Sequence, residues 1–213
     1  MKSTTQSTGF ALLCSLVFAG CSDSDPAVTG TETSTKTQAA IWADVEGETL
    51  LLEAPPAWLR GQERTTDKFR IVDFYPASND RENWYEKLTV ESNNLAPLPD
   101  PIAFVTELGE AQKKQCTSSD HQNIATAIEN GYQTSVRLLI CGEDKTTGRV
   151  RVTLIKAILG NDDFYTISHT KRSDPFETKQ TPISKEEIGQ WSLYMRSIKL
   201  CNTNDPDHPC PTQ

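Results

Sequence analysis

Residues 133–171 read QTSVRLLICGEDKTTGRVRVTLIKAILGNDDFYTISHTK, and this stretch decides the fold. It holds three runs rich in β-branched residues, Gln133–Cys141, Val150–Leu159 and Phe164–Lys171. The joints between them, GEDKTTG and GNDD, are made of turn-forming residues. Joints this short make an antiparallel meander, because parallel neighbours need a much longer crossover. In the middle run Val150, Val152 and Leu154 share one face while Ile155, Ala157 and Leu159 share the other. A strand apolar on both sides must be covered on both sides, so helices are expected above and below it.

On the C-terminal side, Ser184-Lys185-Glu186-Glu187 is a capping box, and Ile183 with Ile188 forms a hydrophobic staple. Ile188, Trp191, Met195 and Ile198 then fall on one helical face that should pack on the sheet. On the N-terminal side, Asp100-Pro101 reads as an N-cap followed by proline at the first helical position. Ile102, Val105 and Leu108 continue as a helical stripe toward Lys113-Lys114. A second helix is expected over His121–Asn130, with Ile124, Ala127 and Ile128 as its apolar face and Gly131 as its C-terminal cap. Three earlier strands are expected. Glu48–Glu53 is closed by Pro55-Pro56, Lys68–Tyr75 alternates, and Asn83–Glu91 carries Trp84, Leu88 and Val90 on one side.

The expected order is therefore β-β-β-α-α-β-β-β-α: an α+β fold with an antiparallel six-stranded sheet and helices on both faces. With its Glu82-Asn83-Trp84 strand, its Gly160–Tyr165 hairpin and its terminal helix, residues 45–200 resemble PsbP-like domains. That is the fold of a photosystem extrinsic subunit and of a Ran-binding import factor. The resemblance implies a binding or assembly scaffold and no particular chemistry.

Residues 1–20 have the build of a secretory signal peptide: Lys2 in a polar start, an apolar run over Gly9–Phe18, and small Ala19 and Gly20. Phe18-Ala19-Gly20-Cys21 resembles the lipobox of bacterial lipoproteins, with Phe18 in place of the usual leucine. The resemblance implies cleavage before Cys21 and lipidation of its thiol, and more than one acyl chain anchors stably. Ser22 rather than Asp after the cysteine suits outer-membrane sorting, facing the periplasm, although Asp23 follows one place later. Residues 21–40 then form a lipidated cysteine and a Ser/Thr-rich disordered tether reaching about 25 Å. A single domain is expected over 41–200, and 201–213 is a Pro-rich tail.

Of six cysteines, Cys14 leaves with the signal peptide and Cys21 is the lipidation site. Cys116, Cys141, Cys201 and Cys210 remain, and an exported chain pairs an even set as disulfides. Three pairings are possible. Cys116–Cys141 and Cys201–Cys210 are favoured because each flanks one local unit, contributing about 3.5 and about 2.7 kcal/mol by loop length. The chain carries a net charge of −8, and losing Lys2 with the leader makes it −9. Such acidity argues against nucleic acid as partner. The membrane is met through the N-terminal lipid.

Candidate sites are few. Cys201, His208 and Cys210 do not match a zinc spacing, and the tail reads as a disulfide loop. Asn161-Asp162-Asp163 lacks the alternation and closing glutamate of a calcium loop and reads as a turn. Nothing calls for a metal or cofactor. His121, His169 and His208 are scattered, with no nucleophile elbow or metal-protease motif; His169 reads as a strand residue at the sheet surface. Trp58, Arg60 and Arg64, after Pro55-Pro56, have the composition of a partner-binding surface. The function expected is a non-catalytic envelope binding or assembly module with a protein or envelope partner. The alternatives are a small envelope hydrolase using His121 or His169, or an immunity lipoprotein that neutralises a toxin.

Overall fold

The structure is a computed structural model that describes residues 40–43, 47–79, 81–94, 96–174 and 183–211. The expected signal segment, Cys21 and the tether up to residue 39 lie outside the described residues. In chain order the strands are β1 (Ala40–Ala43), β2 (Glu48–Leu51), β3 (Trp58–Arg60), β4 (Arg64–Thr65), β5 (Phe69–Pro76) and β6 (Glu86–Asn93). Helix α1 (Pro101–Gln115) follows, then β7 (Ser119–Glu129), β8 (Tyr132–Cys141), β9 (Val150–Leu159) and β10 (Phe164–Ser173). Helix α2 (Lys185–Ser197) and β11 (Lys199–Asn202) complete the described elements.

The meander is present as read: β8, β9 and β10 pair antiparallel in sequence order. They form the centre of an eight-stranded sheet ordered β3-β5-β6-β10-β9-β8-β7, with β4 paired to β5. The expected six strands were too few, and one of them belongs elsewhere. β2 joins a separate three-stranded sheet, β1-β2-β11. Short strands such as β3 and β11 carry too few residues to show alternation, which is why they escape a periodicity reading.

A larger correction concerns His121–Asn130. It is not a helix: up to Glu129 it lies in β7, the edge strand of the large sheet. The register of β7 against β8 shifts between Asn123 and Ala125, a bulge at Ile124. The bulge changes the phase of alternation and sets Ile124, Ala127 and Ile128 at a helix-like spacing. Asn130 and Gly131, at φ 51° and 83°, make the two-residue turn into β8. Both central residues of such a turn need positive φ, and Asn-Gly is its strongest sequence signature. Gly131 thus has the backbone expected of it, as a hairpin residue and not as a helix cap.

The two helices among the described residues start where the caps require. The Asp100 side chain accepts from the Ala103 amide at 2.8 Å, and that of Ser184 from Glu187 at 3.1 Å. Each covers one face of the large sheet. Val152, Leu154 and Ile158 of β9 pack with Trp191, Met195 and Ile198, and Leu50, Leu52 and Leu200 at the small sheet extend this core. On the other face Ile155 and Ala157 pack with Val105 of α1, Leu139 and Phe164. Ile102, assigned to the inward stripe of α1, is instead 47% exposed. Both favoured disulfides are formed. Cys116–Cys141 ties the end of α1 to the end of β8, and Cys201–Cys210 closes the tail.

Lys156 sits among the apolar residues of β9 and is wholly buried. Its amino group donates to Glu129 Oε2 at 2.7 Å and to the carbonyls of Met195 and Ile198 at 3.0 and 2.9 Å. The carbonyls at a helix C-terminus lack intrahelical donors and carry the negative end of the dipole, so a cation is suited to that place. Burial holds the Lys156 amino group below its ordinary range, and Glu129 opposes that shift. Glu129→Ala should therefore cost about 3–5 kcal/mol in urea unfolding, because a buried charge loses its counter-ion. The pair K156M and E129Q together should recover a large part of that loss.

Candidate functional site

Helix α1 packs chiefly over β7, β8 and β9. Beyond its edge the same sheet face continues as the floor of a cleft of about 330 Å³. Alternation along the strands builds the floor: Thr89 from β6, Thr153 from β9, and Ser168 and Thr170 from β10. Leu108, Ala111, Gln112 and Gln115 of α1 form one wall, with Leu139 and Ile155 beneath them. Trp84 and Lys87 form the opposite wall, and Arg151 also lines the cleft.

Trp84 is not in a strand, contrary to expectation; it precedes β6 on an irregular segment. Arg172 fixes it there. Its Nε and Nη2 donate to the Trp84 carbonyl at 2.8 and 2.5 Å, and its guanidinium lies 3.6 Å from the indole centroid. Lys87 Nζ lies 4.8 Å from the same ring, so the indole meets two cations. Burial first, then the charges of Arg149 and Arg151, hold the Arg172 guanidinium below its ordinary range. The acids nearby are partly committed elsewhere. Asp73 Oδ1 accepts from Thr89 at 2.5 Å and stands 3.3 Å from Lys87. Asp144 Oδ1 takes the Thr146 and Thr147 amides, and its Oδ2 is 3.6 Å from Arg151.

No single motif in the sequence marks this cleft. Its signal is a polar i, i+2 pattern opposite the apolar face: Lys87 and Thr89, Arg151 and Thr153, and Ser168, Thr170 and Arg172. Each pattern is ordinary alone, and pairing across strands is what gathers them.

The residues singled out from sequence lie apart from the cleft. The Trp58 ring meets His169 edge-on, 5.3 Å between centroids. Arg60 is bonded to Glu63 at 2.6 Å, and Arg64 is exposed on β4. His169 is not at the surface: it is 5% exposed and stacked on Trp191 at 3.7 Å, with Nε2 2.8 Å from Glu86. His121 Nδ1 lies 2.8 Å from an Arg137 nitrogen, and since arginine can only donate, that ring nitrogen accepts. His208 stacks on Tyr132 at 4.1 Å and its Nδ1 meets the Asn130 carbonyl at 2.9 Å, which sets the tail over the β7–β8 turn. Asn161-Asp162-Asp163 is closed by a residue from far away: Asn161 N donates to Glu48 Oε1 at 3.0 Å, and the Tyr165 hydroxyl donates to Oε2 at 3.1 Å. Gly160 is required there, because a Cβ would stand 2.6 Å from the Asp163 carbonyl oxygen as well as 2.6 Å from Glu48 Oε2.

No family profile matches the chain, and no characterised protein matches it in sequence. Similar solved structures include cyanobacterial PsbP (CyanoP) from Synechocystis, at 14% identity over 83% of this chain and 99% of that one, TM-score 0.45. The Ran-binding protein Mog1p of Saccharomyces cerevisiae is 16% identical over 70% and 78% of the two chains, TM-score 0.38. LpqN of Mycobacterium tuberculosis, involved in cell envelope biogenesis, is 12% identical over 72% and 81%, TM-score 0.41. These are likenesses of backbone at low identity, and no role is transferred from them.

Burial raises the Glu48 carboxyl above its ordinary 4.5, against the lowering effect of its hydrogen bonds. Between 4.5 and the raised value the folded chain holds a proton that the unfolded chain has lost, so stability falls as pH rises through this window. Glu48→Gln removes the titration. Its stability relative to wild type should climb as pH is raised from 4 through that window, read from thermal melts at matched ionic strength; a flat difference would refute the assignment.

Proposed function

We propose that this chain is a lipid-anchored protein of the bacterial cell envelope whose folded part is a non-catalytic binding module. The reading is carried by the cysteines. Four of the six are closed into two disulfides, the state of chains that fold in an oxidising compartment. Cys21 stands apart from these pairs, at the end of Phe18-Ala19-Gly20-Cys21 behind an apolar run. A thiol in that position is chemically suited to acylation. Ser22 favours the outer membrane, with the domain facing the periplasm on its Ser/Thr-rich tether.

The binding role is supported by the cleft on the α1 side of the sheet, a concave site with a few convergent polar groups. The three histidine rings make their hydrogen bonds to Arg137, Glu86 and the Asn130 carbonyl, not to the hydroxyls on the cleft floor. A serine or threonine nucleophile would need such a base beside it.

Cells fed radiolabelled palmitate should yield a labelled chain that stays with the membranes after a carbonate wash. Cys21→Ser should abolish the label and release the protein. An unlabelled wild type, or a variant that remains equally membrane-bound, would sink the anchor.

A further inference from the structure

We propose that the cleft beside Trp84 binds the phosphate group of a small phosphate ester whose remainder carries hydroxyls. The inference rests on the binding-module reading above but not on the lipid anchor. It starts from a local reversal of charge. The chain is strongly acidic, at −8, yet Lys87, Arg149, Arg151 and Arg172 gather at one end of this sheet face. Among the described residues Lys87 is paired with Asp73 and Arg151 with Asp144.

Each carboxylate stands at ion-pair distance from its cation without a short hydrogen bond to it. The Lys87–Asp73 and Arg151–Asp144 separations, 3.3 and 3.6 Å, are longer than a charge-assisted hydrogen bond of about 2.7–2.9 Å. Both acids are held by other donors: Asp73 by Thr89 and the Tyr75 hydroxyl, Asp144 by two backbone amides. Lys87 and Arg151 therefore keep donors for a guest. A guanidinium fork matches two phosphate oxygens, and an ammonium adds a point charge without a fixed direction. Arg172 has a different part. Two of its donors are spent on the Trp84 carbonyl, so it positions the indole wall and adds charge from behind.

The rest of the cleft describes the rest of the guest. Its floor is made of hydroxyls, with Thr153 and Thr170 already 3.0 Å apart, and such groups can donate or accept toward a polyol. Leu108 and Ile155 give it an apolar side. A volume of about 330 Å³ lies at the small end of ligand sites and suits a glycerol phosphate better than a nucleotide. That chemistry occurs in soluble phosphate esters and in phospholipid headgroups alike.

The test uses the full chain in non-ionic micelles. Tryptophan emission and calorimetry follow titration with glycerol 3-phosphate, and separately with micelles doped with phosphatidylglycerol or with phosphatidylcholine. Wild type should saturate, and K87Q with R151Q should weaken binding by about tenfold or more, the cost of losing charge-assisted bonds. K185Q with R196Q makes the same charge change at exposed positions of α2, over the opposite face of the sheet, and should bind as wild type. Should the first double variant melt early, K87Q alone is read in the same direction. Saturation by glycerol 3-phosphate assigns a soluble ester; saturation by phosphatidylglycerol micelles only, with the same dependence on variants, assigns a headgroup. Equal loss in both double variants, or no saturation in any arm, overturns the proposal. Saturation by neutral sucrose while the phosphates fail also overturns it, but leaves the binding-module reading standing.

Discussion

The buried amino group of Lys156 is the constraint on which the rest of the architecture depends. It stands on β9, the middle strand of the meander, and is satisfied only if α2 ends directly above it. The place where α2 stops is therefore set by a single donor on the sheet. β11 begins one residue beyond the final carbonyl that Lys156 caps, so the same contact delivers the chain to β2 and completes the small sheet. Glu129, from the far side of β8, supplies the compensating charge and ties the edge strand into the arrangement. Burying a cation is costly, and replacing such a group by a well-packed apolar one is often neutral for stability. Its value here is in specifying one docking position for α2 among the neighbouring ones an apolar interface would tolerate.

The opposite face of the sheet is organised by incompleteness. One helix lies over three strands, and its end is pinned to β8 by the Cys116–Cys141 bridge. The strands beyond it turn hydroxyl and charged side chains outward where apolar ones would otherwise need cover. Polar alternation on β6, β9 and β10 is thus both the reason no second helix is needed there and the origin of the cleft. A rigid sheet supplies the floor, and Arg172 locks the wall at Trp84, so the site is largely preformed.

Much of the fold was legible in the chain and some of it was not, for identifiable reasons. The meander, both helix caps, the two-sided burial of β9 and both disulfide pairs could be read because each depends on residues close in sequence. β7 was misread because one bulged residue, Ile124, mimics helical spacing, while the Asn130-Gly131 signature beside it pointed to the hairpin. Of the small sheet β2 was read as a strand, but β1 and β11 were missed because a four-residue strand such as β11 takes its structure from its partner. Lys156 and Glu129 lie 27 positions apart, and nothing local marks a lysine as buried. Likewise Trp58 looked like surface chemistry in sequence, yet its ring faces a buried histidine. The cleft was illegible for the same reason: its residues come from five elements and the segment before β6, and only the tertiary fold brings them together.

The bulge in β7 has a consequence for how copies of this protein behave beside one another. β7 is an eleven-residue edge strand with β8 on one side only, and Ile128 on it is 73% exposed. A straight ribbon of that length would offer a row of free amides and carbonyls to any passing strand. The bulge at Ile124 breaks that row into two short pieces, and exposed Asp120 puts a carboxylate near one end. Crowded copies of the chain are thereby denied a template for fibre-like stacking.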